Sequence, residues 1–556
     1  MTVNTFVLSI IFAASRISLN QSPKLSFPID LFEAMDNTSR QHVLKYSSLK
    51  RVVLTGTRKS ARGKSQGEHI WLLVSEQASS DNSSTKCLHS LKPLMTLPAI
   101  NPMRSSDQRQ GGTHDNNIRK QHPRKAETET KNEGIHVTLK GVPTMKIILI
   151  IGDGMSDRPT RLLNGKTPLQ VAEKPAMDTL ARRGVCGIVD PISPGIPPGS
   201  DTAHLALLGY DPLRAYSGRG ALEASGNGLD VRESDVSFRV NFATIDDDHI
   251  VVDRRAGRIG KGGQELSRAL NGLKLEQYPD VQVIFTHSIE HRAALILRGR
   301  NLSRMVTDSD PHEEKHPIQT VKPLNTSAQA ARTAHIVNEL SERFHEILQN
   351  HPINVERVSK GLPPANAVLF RGAGTLPRIR SITEKYGVKA LAVAAGALYK
   401  GVCAAAGFDV INVPGATGTY ATDTVAKAKA VVENLPSYDY ILVHVKGTDN
   451  ASHDGDAAQK VRMVEKIDAL VEYILRNVEL EEVIVALTAD HTSSLDLKEH
   501  VGDPVPVAIM GPWVRRDAVD RYTEVDCARG GLGRIRGVDL TPILIDLAGK
   551  SKKFGS

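Results

Sequence analysis

The sequence predicts an α/β protein whose mostly parallel sheet carries helices on both faces. Three observations point there. Residues 147–153, 440–449 and 483–491 each hold an apolar run that is continuous rather than alternating, as strands buried on both faces require. Each run leads into acidic or histidine side chains: Asp153, then His444 and Asp449, then Asp490 and His491. Amphipathic helical stretches alternate with the runs, the pattern of βα units. Open α/β sheets bind ligands beyond the carboxyl ends of their strands. Asp153, Asp449, Asp490 and His491 at three such ends therefore imply one shared metal site.

Along the chain, residues 6–14 form a short apolar run like a secretory h-region, but no basic residue precedes it. A transit peptide or a displaced gene start fits as well. Residues from about 15 to 141 are polar and rich in Ser, Gln and basic side chains, with too little apolar surface to offset chain entropy. Residues 1–144 are expected to be a mostly disordered extension with one small ordered patch near 51–74. The charged run 119–131 has no interleaved aromatics, so it reads as a solvated linker rather than a nucleic-acid arm.

Order is expected to begin at Met145. The turn Gly152-Asp153-Gly154 follows the first strand, and Thr167 caps a helix that opens at Pro168 and ends at Gly184. Leu169, Ala172, Ala176, Met177, Leu180 and Ala181 form its buried face. A second helix covers 457–478, with Val461, Val464, Ile467, Leu470, Val471 and Ile474 as its stripe. Between 218 and 384 the pattern changes: strand-like runs at 236–242 and 293–297 mix with helices and many arginines. Candidate metal ligands flank this segment. The expected division is thus an extension (1–144), a core in two parts (145–217 and 385–556) and an inserted α+β domain (218–384).

Composition sets bounds. A chain of 556 residues has room for two to four domains, and 40% hydrophobic with 24% charged residues is ordinary for a water-soluble protein. A formal charge of +8 is compatible with anionic substrates or polyanions and proves neither. Cys87, Cys186, Cys403 and Cys527 are far apart and form no CxxC pair, which argues against a disulfide framework or thiolate zinc and fits a reducing compartment. No apolar stretch is long enough to span a bilayer.

Asp449 and His453 lie one helical turn apart and can face one ion. Asp490 and His491 can serve two neighbouring ions, and His500 follows in the next loop. Mixed carboxylate and imidazole ligands suit Mn, Zn or Fe rather than Ca. Each residue alone reads as a cap, turn or surface group; together they make a metal centre. Ser200 sits where the Gly-Pro loop 197–199 meets an apolar helix at 205–208. That is an N-cap position, ordinary for serine, and also a place where a phosphate is favoured. A metal ion can activate such a serine as a nucleophile.

Gly152-Asp153-Gly154-Met155, the segment Pro198-Gly199-Ser200-Asp201-Thr202-Ala203-His204, the segment from His444-Val445-Lys446-Gly447-Thr448-Asp449 through His453-Asp454-Gly455-Asp456, and Thr488-Ala489-Asp490-His491 together resemble the archaeal-type 2,3-bisphosphoglycerate-independent phosphoglycerate mutases of the alkaline phosphatase superfamily. The resemblance runs from about Met145 to the C-terminus; the first 144 residues have no counterpart. It implies an alkaline-phosphatase-like core and a di-metal phosphoserine enzyme that interconverts 3- and 2-phosphoglycerate without 2,3-bisphosphoglycerate. Manganese is the first expectation for its two divalent ions, with Mg²⁺, Co²⁺ or Zn²⁺ as alternatives.

Residue by residue, the resemblance implies Ser200 as nucleophile and ligand of one ion with Asp153, Asp490 and His491. Asp449, His453 and His500 would hold the second ion, and Lys400 would contact the transferred phosphoryl group. The inserted domain would act as a lid, holding the glycerate carboxylate with arginine forks. Candidates there are Arg254, Arg255, Arg258 and Arg292 with His291, set against the plainer reading of a solvated basic face. His204, Asp454 and Asp456 could simply cap helices and order loops. The expected partner is a small phosphoglycerate, with no specific nucleic acid and no membrane. The expected location is cytoplasmic, with organelle targeting through the extension left open. The sequence does not fix the oligomeric state. Alternative readings are another metal-dependent phosphomutase or a phosphomonoesterase of the same superfamily, and a non-catalytic polyanion binder using the basic extension. The match continuing through Leu208-Gly209-Tyr210-Asp211-Pro212 favours the mutase.

Overall fold

A computed structural model describes residues 145–555 and, in backbone alone, the strands His42–Val43, Arg51–Gly56 and His69–Val74. The chain divides into two units, Met1–Glu133 and Gly134–Ser556. In the first, the three strands pair antiparallel, two of them within the stretch read as an ordered patch. The disorder expected for the rest of the extension lies outside the described residues.

In the second unit the three continuous apolar runs become adjacent central strands: Tyr440–Val445, Lys146–Gly152 and Val483–Ala489, all parallel. Every residue of Tyr440–Val445 and Val483–Ala489, and all but Lys146 of Lys146–Gly152, are buried, which is why neither face alternates. The full sheet has eight strands in the order Asp409–Ile411, Ala390–Val393, Tyr440–Val445, Lys146–Gly152, Val483–Ala489, Val505–Met510, Val185–Asp190, Gly533–Arg536. Only Val505–Met510 runs antiparallel to its neighbours. Helices form two packing groups. Ala457–Asn477 touches Pro175–Arg183 and Thr424–Asn434, whereas Ser200–Leu207 touches Gly537–Leu547 and Ala397–Ala405.

Register places the site. Val445, Gly152 and Ala489 are direct partners across the three central strands. The residues that follow them, Lys446, Asp153 and Asp490, therefore leave the sheet at one level.

The expected helix from Pro168 to Gly184 is two helices, Pro168–Val171 and Pro175–Arg183. Thr167 does cap the first, in a reciprocal capping box with Gln170. The first helix ends where Ala172 turns extended, and the second cannot begin before Pro175: a proline disfavours helical backbone in the residue before it and removes a donor, and Lys174 is accordingly non-helical, at φ −142° and ψ 58°. Ser200 is the first helical residue of Ser200–Leu207, with Gly199 as N-cap, so the helix starts before the apolar stretch that suggested it. The long helix matches expectation to within one residue, as Ala457–Asn477.

A separate antiparallel sheet is built from Ala367–Gly374, Val236–Ile245, Arg292–Arg298 and Gln282–His287, with Val251–Asp253 beside it. It has its own aromatic core of Phe238, Phe242, Phe285, Phe344 and Phe370. The helix Arg219–Gly226 packs against both this sheet and the core helix Ala397–Ala405. The approach is closest at Gly226, where a methyl group would overlap the Ala397 carbonyl oxygen, and at Gly401, where it would overlap the Leu222 carbonyl. Gly226→Ala is therefore expected to force these helices apart at a cost of roughly 1–3 kcal/mol; a lowered denaturation midpoint checks this, and an unchanged midpoint counts against it.

Candidate metal centre and nucleophile

Two groups of side chains converge above the central strands: Asp153 with Asp490 and His491, and Asp449 with His453 and His500. In the first group all three are fully buried. His491 Nε2 lies 3.3 Å from Asp153 Oδ1 and 3.3 Å from Asp490 Oδ2. These two carboxylate oxygens receive no hydrogen bond. Buried polar atoms are nearly always paired, so converging, unpaired carboxylate oxygens beside an imidazole nitrogen are the donor set a divalent ion fits. Ser200 Oγ joins them, 3.1 Å from His491 Nε2.

In the second group, helix Gly447–Asp454 sets Asp449 and His453 one turn apart, with His453 Nε2 3.4 Å from Asp449 Oδ1. His500 Nε2 lies 3.2 Å from the same oxygen. The other ring nitrogens face backbone carbonyls: His453 Nδ1 meets Lys498 O at 2.7 Å and His500 Nδ1 meets Pro198 O at 2.8 Å. Outer bonds of this kind orient metal-binding imidazoles with Nε2 inward.

The electrostatics are those of crowded carboxylates beside one ammonium, that of Lys446. Burial alone would raise the Asp153 carboxyl, but the Lys446 ammonium and the bond from His444 hold it well below the usual range. Burial and the Asp153 charge push Asp490 the other way, well above it. Burial would lower His500, yet the Asp449 carboxylate raises it overall. A divalent ion at this site must then displace a proton. Metal affinity is expected to fall as the pH drops below the raised His500 value, by up to about tenfold per pH unit for one proton. Mn²⁺ titrations from weakly basic to weakly acid pH check this; a flat profile would contradict it.

Lys446 and Tyr399 escaped the sequence reading of the site; His204 entered it as a group that could simply cap a helix. Lys446 Nζ lies 2.6 Å from Asp449 Oδ2, 3.4 Å from Asp153 Oδ2 and 2.9 Å from Tyr399 OH, so it touches both groups. Its place inside the 444–449 motif was the available signal. Tyr399 stacks on His444 with ring centroids 3.8 Å apart. His204 is fully buried, its Nδ1 2.7 Å from Ser200 O and its Nε2 unpartnered. Burial, with the His444 charge, pushes it down to about 3, so it is a neutral imidazole packed under the serine.

Lys400 is not brought to these groups: its Nζ donates to Asn412 Oδ1 at 2.5 Å. One step round the same helix, Tyr399 is the residue that faces the site. Asp454 receives a bond from Tyr420 and Asp456 caps the long helix, both structural roles.

Of the inserted segment's candidates, Arg254 has its fork engaged by Asp310, through bonds of 2.9 and 2.8 Å. Arg255, Arg258 and Arg292 are exposed. His291 is buried with Nδ1 unpartnered. Burial and the charges of Arg292, Arg255, Arg239 and Arg258 push it down to about 4, which places these cations around it. Arg239 was missed. Ser237, Arg239 and Asn241 alternate along Val236–Ile245 on one face; Ser237 Oγ and Asn241 Oδ1 are buried without a hydrogen bond, and Arg239 Nε, also buried, lies 3.5 Å from Glu223 Oε2. Three polar residues at period two within an apolar strand were the signal.

A serine opening a helix beside two candidate metal triads at parallel strand ends defines an α/β enzyme with a candidate di-metal centre. A family model for 2,3-bisphosphoglycerate-independent phosphoglycerate mutase matches residues 181–354. The chain is 48% identical over 412 residues, 74% of its length and 99% of the relative's, to 2,3-bisphosphoglycerate-independent phosphoglycerate mutase 1 of Methanocaldococcus jannaschii. It is also 48% identical over 416 residues to the mutase of Ignicoccus hospitalis, covering 74% of this chain and 99% of that one. Among solved structures, the cofactor-independent phosphoglycerate mutase of Thermoplasma acidophilum is 38% identical with a TM-score of 0.55, covering 73% of this chain and 100% of that one. A Pyrococcus horikoshii protein is 40% identical with a TM-score of 0.66, covering 75% and 100%. The chain belongs to the archaeal-type 2,3-bisphosphoglycerate-independent phosphoglycerate mutases. No helix among the described residues is long and apolar enough to cross a membrane.

Proposed function

We propose that the chain interconverts 3- and 2-phosphoglycerate by passing the phosphoryl group through Ser200, with two divalent ions, manganese first, held by the two triads. One observation carries this reading: Ser200 Oγ stands 3.1 Å from His491 Nε2, an atom that also belongs to the first triad. Divalent ions there would lower the pKa of the serine and glycerate hydroxyls and neutralise phosphoryl oxygens.

The chain's own residues supply the rest. Ser200, held at the start of its helix, presents Oγ to the substrate phosphorus; the Oγ–P bond forms as the bond from phosphorus to the 3-oxygen breaks, the proton lost from Oγ ending on that 3-oxygen, and in the return step the 2-hydroxyl proton goes back to Oγ. Lys446, between Asp153 and Asp449, adds a third positive charge beside the transferring group. This is the role the family resemblance gave to Lys400. His291, Arg292, Arg255, Arg258 and Arg239 hold the glycerate carboxylate while its hydroxyls exchange places. The 2-oxygen then takes the phosphoryl group and frees Ser200. The segment 218–384 serves as the lid that keeps water from the phosphoserine.

The test is an assay with 3-phosphoglycerate and Mn²⁺, with no 2,3-bisphosphoglycerate added. The expected product is 2-phosphoglycerate, abolished by chelation and restored by Mn²⁺. Release of free phosphate instead would favour a phosphomonoesterase and overturn the mutase reading.

A further inference from the structure

Ser493 lies in the short strand Thr492–Ser494, which follows the central strand carrying Asp490 and His491. It is wholly buried. Its Oγ is 3.0 Å from Asp449 Oδ1 and 3.0 Å from His491 Nδ1, one atom from each metal triad. A hydroxyl carries a single proton, and an ionised carboxylate can only accept. The Ser493 proton must therefore point at Asp449, and the Ser493 lone pair must receive the proton on His491 Nδ1. That assigns the His491 tautomer: Nε2 is left with its lone pair, directed at the Ser200 hydroxyl and the first triad.

The surroundings hold this hydroxyl in place. Lys460 Nζ donates to Ser493 O at 2.8 Å, fixing the backbone. Gly154 leaves the room the hydroxyl occupies, since a Cβ there would stand 2.5 Å from Ser493 Oγ, and its φ of +59° suits glycine.

We propose that the Ser493 hydroxyl couples the two triads, so that an ion bound by one orients the ligands of the other and the two ions load as a pair. The inference rests on the two-ion reading above. An ion on Asp449, His453 and His500 fixes the Asp449 carboxylate. That fixes the Ser493 proton, which fixes His491 with Nε2 toward Asp153 and Asp490. The same chain runs in reverse, and the ligands are ordered once for both ions rather than twice. Ser493 is a positioning residue: its hydroxyl acts through Asp449 and His491.

The test is a Mn²⁺ titration of the metal-free full-length chain, read by electron paramagnetic resonance, which separates isolated from magnetically paired ions. In the unaltered chain, paired signal is expected from the first additions. In Ser493→Ala, isolated ions are expected first, with the ratio of second to first stepwise binding constants lowered about tenfold, the lower end of what losing an outer partner costs a metal site. Ser494→Ala serves as the control, because its Oγ accepts only from Leu497 N and touches no ligand; it is expected to titrate like the unaltered chain. Should Ser493→Ala fail to fold, Ser493→Gly carries the same expectation. An unchanged ratio in the Ser493 variant overturns the coupling. An unaltered chain that binds fewer than two ions overturns the two-ion reading instead.

Discussion

On the proposed route, Ser200→Ala is expected to lower kcat by at least about 10⁴-fold, since removing the covalent nucleophile would forfeit the whole phosphoenzyme path. The fold should survive. Ser200 is the first residue of its helix and Gly199, not Ser200, is the N-cap, so the substitution removes no cap. Among the described residues, the side-chain bond lost is that between Oγ and His491, a neutral hydrogen bond worth about 1 kcal/mol. All six carboxylate and imidazole groups of the two triads remain. The variant should therefore keep its circular dichroism, its denaturation midpoint to within a few degrees and at least one tightly bound ion. Intact-mass analysis after exposure to 3-phosphoglycerate should show no added phosphoryl group, whereas the unaltered chain should show one. A variant that still turns over, or that carries phosphate elsewhere, would remove Ser200 from the reaction.

The parts of the structure that were legible in the sequence are those where burial acts along the chain itself. Three continuous apolar runs read as strands covered on both faces, and they are the three central strands. Their in-register ends then forced Asp153 and Asp490 together. What was illegible depended on direction or on distant partners. Tyr399 and Lys400 are neighbours in sequence but about 100° apart on their helix; only packing decides that the tyrosine faces the centre and the lysine meets Asn412. Arg254 looked like a free carboxylate fork, yet Asp310, far along the chain, occupies it. The break at Pro175 was visible. An apolar periodicity that continued across it, through Ala172, Ala176 and Leu180, hid the backbone rule that ends one helix and starts another. Arg239 was within reach as well, because its strand alternates polar residues on one face.

Beneath the candidate metal centre, Lys460→Met is expected to destabilise the protein by about 3–5 kcal/mol, the usual cost of removing one partner from a buried ion pair. Lys460 is fully buried, and its ammonium has three acceptors: Asp157 Oδ2 at 2.8 Å, Ser493 O at 2.8 Å and Ser156 O at 3.1 Å. Methionine fills similar space but donates nothing, leaving a buried carboxylate and two carbonyls short of a partner. Burial is already the largest influence on both charges, lowering Lys460 and raising Asp157 despite their mutual attraction. The pair therefore contributes little by existing and costs much when halved. Lys460→Met combined with Asp157→Leu should recover a substantial part of the loss, because the stranded carboxylate goes too. Metal binding should not recover with it. Ser156 lies in the loop after Asp153 and Ser493 in the short strand Thr492–Ser494 after His491, so the ammonium ties together the segments that leave two adjacent central strands. Denaturant unfolding of the single and double variants, alongside Mn²⁺ titration of each, separates the two effects. A single variant as stable as the unaltered chain would show that the ammonium is not the brace, and a double variant with full metal affinity would show that the loops hold their ligands without it.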